Sequence, residues 1–203
     1  MKKTVSLLLA AVLLLSLCAC GAVPAKPEDT VAAFSEAMKA YDFEKMQTFL
    51  PASEEDLQSE LFNEENENDL TALFMTRMKA WAKDMTYEIV STETDGDKAT
   101  VEVKYSYKDS TQVVNEFFTE YISQALALAL GDATEEEVSA LAEQILADKM
   151  DTVEPGSTEC NIVYSLTRKD NKWLIDELPE DVLHVMTADF MIALEEVAAT
   201  LNG

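Results

Sequence analysis

The chain has 203 residues, and its 39 acidic side chains against 15 basic ones give a formal charge of −24 at pH 7. That length suits one domain with a single sizeable core. Because phosphate binding needs clustered lysine and arginine, the charge argues against a nucleic-acid partner. It argues equally against a basic patch that grips anionic lipid. The charge favours solubility and mutual repulsion.

Residues 1–19 have the layout of a secretory signal peptide. Lys2 and Lys3 make a positive start, and residues 4–17 form a nearly unbroken apolar run. That run is shorter than the roughly 20 residues needed to cross the hydrocarbon core, so a retained transmembrane helix is the weaker interpretation.

The end of this leader resembles a bacterial lipobox, the pattern read by the lipoprotein signal peptidase. Leu17 stands at minus three, Ala19 at minus one, and Cys20 at the modified position. Two alternatives fit less well. Ordinary secretory cleavage needs a small residue at minus three, where Leu17 stands. Modification of Cys18 would put Leu17 at minus one, where a small residue is also needed. The resemblance implies a diacylglycerol thioether at Cys20 and, in many bacteria, an amide-linked chain. Acyl chains such as palmitate contribute ~0.8 kcal/mol per buried methylene, so two or three chains hold a protein durably.

Residues 20–26 form a short lipidated tether, and its six residues after Cys20 reach only ~20 Å even when extended. Loss of the leader takes the formal charge to −26, because Lys2 and Lys3 leave with it. Cys18 also leaves and Cys20 is alkylated, so the third cysteine, Cys160, has no partner for an intrachain disulfide. Cys160 lies in an alternating apolar stretch, which favours a buried small hydrophobe over a nucleophile.

Four helices are predicted in the first part of the mature chain. The first covers residues 27–41, and a second short helix is capped by Asp42. A third opens at Ser53 with a variant of the capping box. After an acidic loop, the fourth carries an apolar face between Leu70 and Trp81.

The pattern then changes to strands and back to helix. Residues 85–89 and 99–107 alternate apolar and polar side chains around the turn signal at residues 94–97, which predicts an antiparallel hairpin. A helix follows over residues 110–130, and between residues 125 and 130 it is apolar all round, which implies burial on several sides or a partner. Thr134 opens a second helix, which makes a helical hairpin.

Strand periodicity returns at Thr158, turns at Asp170 and Asn171, and continues over residues 172–177. A last helix is predicted from Pro179 to about Leu201. We therefore expect one α+β domain over residues 27–203. Its N-terminal helices pack on an antiparallel sheet, with a helical-hairpin insertion at about 110–154 and a C-terminal helix.

Two segments carry a family resemblance. The first comprises residues 27–34, 37–38 and 41–46, and the second residues 170–176 near the end. Together they resemble bacterial lipoproteins that carry a nuclear-transport-factor-2-like (cystatin-like) domain of unknown function. The resemblance implies that the N-terminal helices fill the concave face of a curved, cone-like sheet. The chain departs from the family at residues 110–154 and after residue 176, where added helices could cover the cone or form a separate layer.

The chain carries few residues suited to catalysis. Its one histidine, His184, leaves no histidine-rich metal site and makes any Ser-His-Asp triad depend on that residue. There is no glycine-rich phosphate loop and no Cys-x-x-Cys pair. Runs of carboxylates such as residues 135–137 are better explained by capping and solvation than by a metal site. We expect no catalytic residue, no cofactor and no dedicated metal site.

Five aromatic residues fall on inward-facing strand positions: Tyr87, Tyr105, Tyr107, Tyr164 and Trp173. One interpretation is ordinary core, with hydroxyl groups that reach the rim. The other is an aromatic-lined pocket for a small apolar or amphipathic ligand. No ionisable residue is placed among them on the inward face by the pattern.

The leading hypothesis is a membrane-anchored extracytoplasmic lipoprotein, lipidated at Cys20, that binds a protein or small-molecule partner without catalysis. An enzyme of the cone superfamily that uses a buried carboxylate is the alternative from another class. A third possibility is self-association through the apolar helix at residues 125–130. The sequence leaves the oligomeric state open.

Overall fold

A computed structural model describes residues 26–51, 69–131 and 133–202 of the chain. The predicted signal peptide, Cys20, almost all of the tether and the predicted third helix lie outside the described residues. The elements in chain order are α1 Pro27–Ala40, α2 Phe43–Gln47, α3 Asp69–Ala82, β1 Thr86–Asp95, β2 Lys98–Asp109, α4 Thr111–Ala129, α5 Glu135–Thr152, β3 Gly156–Lys169, β4 Lys172–Ile175, α6 Asp181–Met186 and α7 Phe190–Asn202.

The four strands form one antiparallel sheet in the order β1-β2-β3-β4. The predicted β1–β2 hairpin is confirmed, and Gly96 in its loop has a φ of 60°, a value that favours glycine. The second predicted turn has φ values of 49° at Asp170 and 62° at Asn171. Asp and Asn tolerate this region because their short polar side chains bond locally, so the pair suits a two-residue hairpin turn.

One face of the sheet is buried beneath α1. Along β2, buried residues at positions 99, 101, 103, 105 and 107 alternate with more exposed residues between them, because successive side chains point to opposite faces. Val31, Phe34 and Met38 of α1 are fully buried against this inner face. The ring centroids of Phe34 and Tyr164 lie 5.9 Å apart in an edge-to-face arrangement. The α1–sheet contact is therefore the centre of the core.

The long connection from β2 to β3 is the helical hairpin α4–α5, as predicted. Thr134 begins α5 with a full capping box: its Oγ1 accepts from the Glu137 amide at 3.2 Å, and Glu137 Oε2 accepts from the Thr134 amide at 2.8 Å. Helix α4 packs on both α5 and α7. The chain is thus an α+β fold with a four-stranded antiparallel sheet and a helical layer beside it.

The prediction of a single C-terminal helix is wrong. The segment forms α6 and α7, separated at residues 187–189, where Ala188 and Asp189 have φ values of 51° and 58°. The Asp189 amide donates to the His184 carbonyl at 2.9 Å and closes α6. The Ser110 amide and hydroxyl both donate to the Ala188 carbonyl, at 2.8 and 2.7 Å. The break therefore depends on a residue far away in sequence, and the apolar spacing runs through it without a signal.

Strand β4 ends at Ile175, two residues earlier than the alternation predicts. Among the described residues, no helix combines the length and the apolar character needed to cross a membrane.

Candidate functional site

The five predicted pocket residues all belong to the inner side of the sheet. Tyr87 and Tyr105 have ring centroids 6.2 Å apart, and the Tyr105 and Tyr164 hydroxyls are hydrogen-bonded. Tyr105 and Tyr164 are fully buried, Tyr107 and Trp173 nearly so, and Tyr87 is partly buried. Trp173 lies on the edge strand β4 under the Arg168 guanidinium, which is 5.4 Å from the ring centroid. A ligand pocket at these residues stays a prediction.

Two of the tyrosines belong to a buried chain of hydroxyl groups. Ser35 Oγ donates to the Val31 carbonyl at 2.9 Å, so its one proton is used within α1. The 2.6 Å contact between Ser35 Oγ and the Tyr105 hydroxyl must then be donated by Tyr105. The Tyr105 hydroxyl in turn accepts from Tyr164 at 2.9 Å. The Tyr105 hydroxyl therefore points at α1 rather than at the rim of the sheet, and the Tyr164 hydroxyl joins it from the neighbouring strand, so the bonds link α1 to β2 and β2 to β3.

Burial also raises the pKa values of the two tyrosines in this hydrogen-bonded group. Desolvation raises the pKa of Tyr105 to about 12, although its hydrogen bonds to Ser35 and Tyr164 act in the opposite direction. Desolvation likewise raises the pKa of Tyr164 well above its usual value. Both phenols are therefore neutral at physiological pH and serve as hydrogen-bonding groups.

Tyr107 is engaged with a carboxylate that the sequence did not place there. Its hydroxyl lies 3.1 Å from both Oδ1 and Oδ2 of Asp189, in the break between α6 and α7. Burial raises the pKa of Asp189, while the Tyr107 hydrogen bond lowers it. The expectation that no ionisable group lies among the inward aromatic residues is thus wrong at this position. Asp189 falls inside what reads as a continuous helix, so no pattern in the sequence marks it.

Cys160 and His184 lie close to this pair. Burial raises the pKa of the Cys160 thiol to about 11, with a smaller opposing effect from Tyr107, so the thiol stays protonated and is a poor nucleophile. His184 has a buried Nδ1 with no hydrogen-bond partner among the described residues. Beside Tyr107, a cavity of about 10 Å³ is bordered by Met78 and Met85. That space holds about one water molecule.

An open groove lies along α4. The groove, of about 750 Å³, runs between the first two-thirds of α4, Lys149 of α5 and the paired ends of β2 and β3. Its charged residues are Asp109, Glu116, Glu120 and Lys149. Lys149 Nζ is 2.6 Å from Glu120 Oε2 and 3.8 Å from Asp148 Oδ2. The one lysine of the groove is therefore already bound to carboxylates.

An exposed apolar stripe continues from the groove toward the C-terminal end of α4. Ile122, Leu126 and Leu130 are 44, 64 and 85% exposed. Residues four apart lie on one side of a helix, and Ser123 of the groove stands three and seven residues before the two leucines. The groove and the stripe therefore share one surface, which we call the α4 face. The apolar run predicted burial or a partner here, and the described residues leave the two leucines uncovered.

Among the described residues, no group of three or more histidine, cysteine, aspartate and glutamate side chains is arranged to hold a metal ion.

The sequence matches no protein-family model and no curated protein. Among solved structures, it is similar to a candidate lipoprotein (ycdA) of Bacillus subtilis, with 16% sequence identity and a TM-score of 0.43. The match covers 79% of this chain but only 46% of that neighbour. A likeness at this TM-score supports no conclusion about the function of this chain.

Proposed function

We propose that the chain is an extracytoplasmic lipoprotein, anchored in the membrane through acyl chains on Cys20, that acts by binding another molecule. The observation that carries the anchor is the order of features in residues 1–21: a positive start, a short apolar run, and Leu17 and Ala19 before Cys20. The short tether then keeps the domain within a few nanometres of the bilayer.

Two features support binding rather than catalysis. The α4 face presents exposed apolar side chains next to carboxylates, the mixture that recognition surfaces use. By contrast, the hydroxyls of Tyr105, Tyr107 and Tyr164 are all engaged in hydrogen bonds within the fold. The thiol of Cys160 is protonated at neutral pH because burial raises its pKa.

The finer features of the resemblance belong to this proposal. They are a nuclear-transport-factor-2-like identity, a cone-like form of the sheet, and one domain over residues 27–203. Small-ligand binding near the inner aromatic residues is a second way in which the same domain could act as a binding module.

One observation favours an enzyme as a second candidate. Asp189 is a half-buried carboxylate whose pKa is raised and whose oxygens accept from the Tyr107 hydroxyl. Partial burial and a raised pKa are features of carboxylates that act as general bases. A base must reach the proton it removes, and the cavity of about 10 Å³ beside Tyr107 has no room for a substrate. We therefore place this candidate behind the binding module.

The anchor is tested by metabolic labelling with a fatty-acid probe. The unsubstituted chain incorporates label, and Cys20→Ala loses it. Cys18→Ala is the matched control, because it removes a neighbouring cysteine but keeps the lipobox, and it labels as well as the unsubstituted chain. Equal labelling of Cys20→Ala, or loss of label in Cys18→Ala alone, contradicts the assignment.

A further inference from the structure

We propose that the α4 face is a docking surface for a cationic amphipathic helix of a partner protein. This inference rests on the proposed binding function and names the chemistry of its partner. The surface has two parts, one apolar and one acidic, on the same side of one helix.

The apolar part determines one face of the partner. Ile122 and Leu126 of α4 and Leu130, the residue that caps its end, stand four residues apart, so their side chains form a line on one side of the helix. From Gln112 in the groove to Leu130 is about 27 Å at 1.5 Å per residue. A partner helix of about five turns has the same length, and apolar side chains repeating every three to four residues would meet the stripe.

The acidic part determines the charge of the partner. Asp109, Glu116 and Glu120 line the groove, against one lysine. Lys149 is bound by Glu120, so its charge is offset within the protein. The other two carboxylates, Asp109 and Glu116, are partly buried and accept hydrogen bonds from uncharged donors, the Thr111 amide and the Gln112 side chain, which leave their negative charge in place. The formal charge of the whole chain is −24. Lysine or arginine residues beside the apolar face of a partner would be attracted to this groove.

The same charge argues against two other occupants. Two copies of the chain would bring like charges together, and a stripe of three side chains is small beside the ~800 Å² per partner that a stable dimer buries. An anionic membrane surface would repel the carboxylates of the groove.

The test uses the full lipidated chain held in phosphatidylcholine vesicles. The probe is a fluorescent helical peptide of leucine and lysine, with leucines at helical spacing, and its anisotropy is compared with empty vesicles. The same peptide with glutamate in place of lysine is the charge control. We expect the lysine peptide to bind, the glutamate peptide to bind at least tenfold more weakly, and added salt to weaken binding of the lysine peptide.

Two pairs of substitutions probe the two parts of the surface. Leu126→Gln with Leu130→Gln removes exposed apolar area and should weaken binding about tenfold or more. Glu116→Gln with Glu120→Gln removes two carboxylates and frees Lys149, and should weaken it several-fold at low salt.

Matched controls come from the sheet. Val90→Gln with Val163→Gln changes two exposed apolar residues that are 50 and 55% exposed, and Glu88→Gln with Glu93→Gln changes two exposed carboxylates. Neither control should alter the affinity, and circular dichroism checks that each variant is folded.

Several results would overturn the inference. They are no binding of the lysine peptide above empty vesicles, equal affinity for the glutamate peptide, or equal weakening by the control variants. A tryptophan introduced by Leu126→Trp that is quenched by brominated lipid assigns the surface to the membrane instead. A disulfide between two chains in Leu126→Cys, absent in the unsubstituted chain, assigns it to a second copy. Because fatty-acid labelling of Cys20 reports the anchor separately, a failure to bind peptide with labelling intact overturns the docking inference alone.

Discussion

The order of donors in the buried hydroxyl chain predicts an unequal response of its two tyrosines to removal of their hydroxyls. In Tyr105→Phe, the Tyr164 hydroxyl loses the acceptor of its proton and stays fully buried. A buried donor without a partner costs about 1–3 kcal/mol, in addition to about 1 kcal/mol for the lost bond to Ser35. We expect Tyr105→Phe to lower the free energy of unfolding by about 2–4 kcal/mol.

Tyr164→Phe removes the end of the same chain. Tyr105 then still donates to Ser35, and no donor is left without an acceptor. The expected loss is therefore about 1 kcal/mol. The double variant removes both hydroxyls at once, so its loss should be smaller than the sum of the two single losses.

Urea unfolding followed by circular dichroism measures these differences, with a constant m-value as the sign that only stability has changed. Tyr87→Phe is the matched control, because its hydroxyl is only partly buried: it donates to the Ala32 carbonyl over a long 3.3 Å and lies beside the Glu36 carboxylate, so its loss should cost less than 1 kcal/mol. If Tyr164→Phe costs more than Tyr105→Phe, or if the two losses add, the assigned order of donors is refuted.

Two further predictions concern ionisable groups on the inner side of the sheet. Asp189→Asn keeps an acceptor for Tyr107 and a residue type that tolerates a φ of 58°, so the free energy of unfolding should stay equal or rise by up to ~1 kcal/mol. Asp189→Ala removes the acceptor and should lower it by about 1–3 kcal/mol. Equal losses for the two variants in urea unfolding would contradict the role given to the Tyr107–Asp189 contact. Because burial raises the folded pKa of Tyr105 to about 12, its contribution is complete below the unfolded value near 10 and is lost as the pH rises through that window. The free energy of unfolding should fall by about 1.4 kcal/mol per pH unit per buried tyrosine there, and an equally steep fall in Tyr105→Phe would argue against Tyr105 as a source.

Most local structure could be predicted from the sequence because its causes are local. The capping box at Thr134, the cap of α2 by Asp42 and the turn at Asp170 each depend on residues within a few positions. The alternation along β2 likewise identified the buried face. Such signals are physical contacts between neighbours in the chain, so they can be read without the fold.

The candidate site was predicted only in part. The apolar character of residues 125–130 indicated a helix that needs more than one contact, and the structure shows which of its side chains remain uncovered. The acidic groove beside them was missed. It joins α4 to the ends of β2 and β3 and to Lys149, and these segments meet only when the helical hairpin folds back on the sheet.

The sequence by itself determined the class of the fold, the inward-facing tyrosines and the expectation of a lipid anchor at Cys20, since each follows from short-range pattern. Only the tertiary structure decided what those tyrosines do. The Tyr105 hydroxyl bonds to Ser35 in α1, and the Tyr107 hydroxyl bonds to Asp189 in the helix break. The Ala188 carbonyl of that break accepts from Ser110. The partners in these bonds are 70 to 82 residues apart in sequence. Hydrogen bonds between residues so far apart in sequence leave no periodicity, because the geometry that makes them exists only after the core has packed.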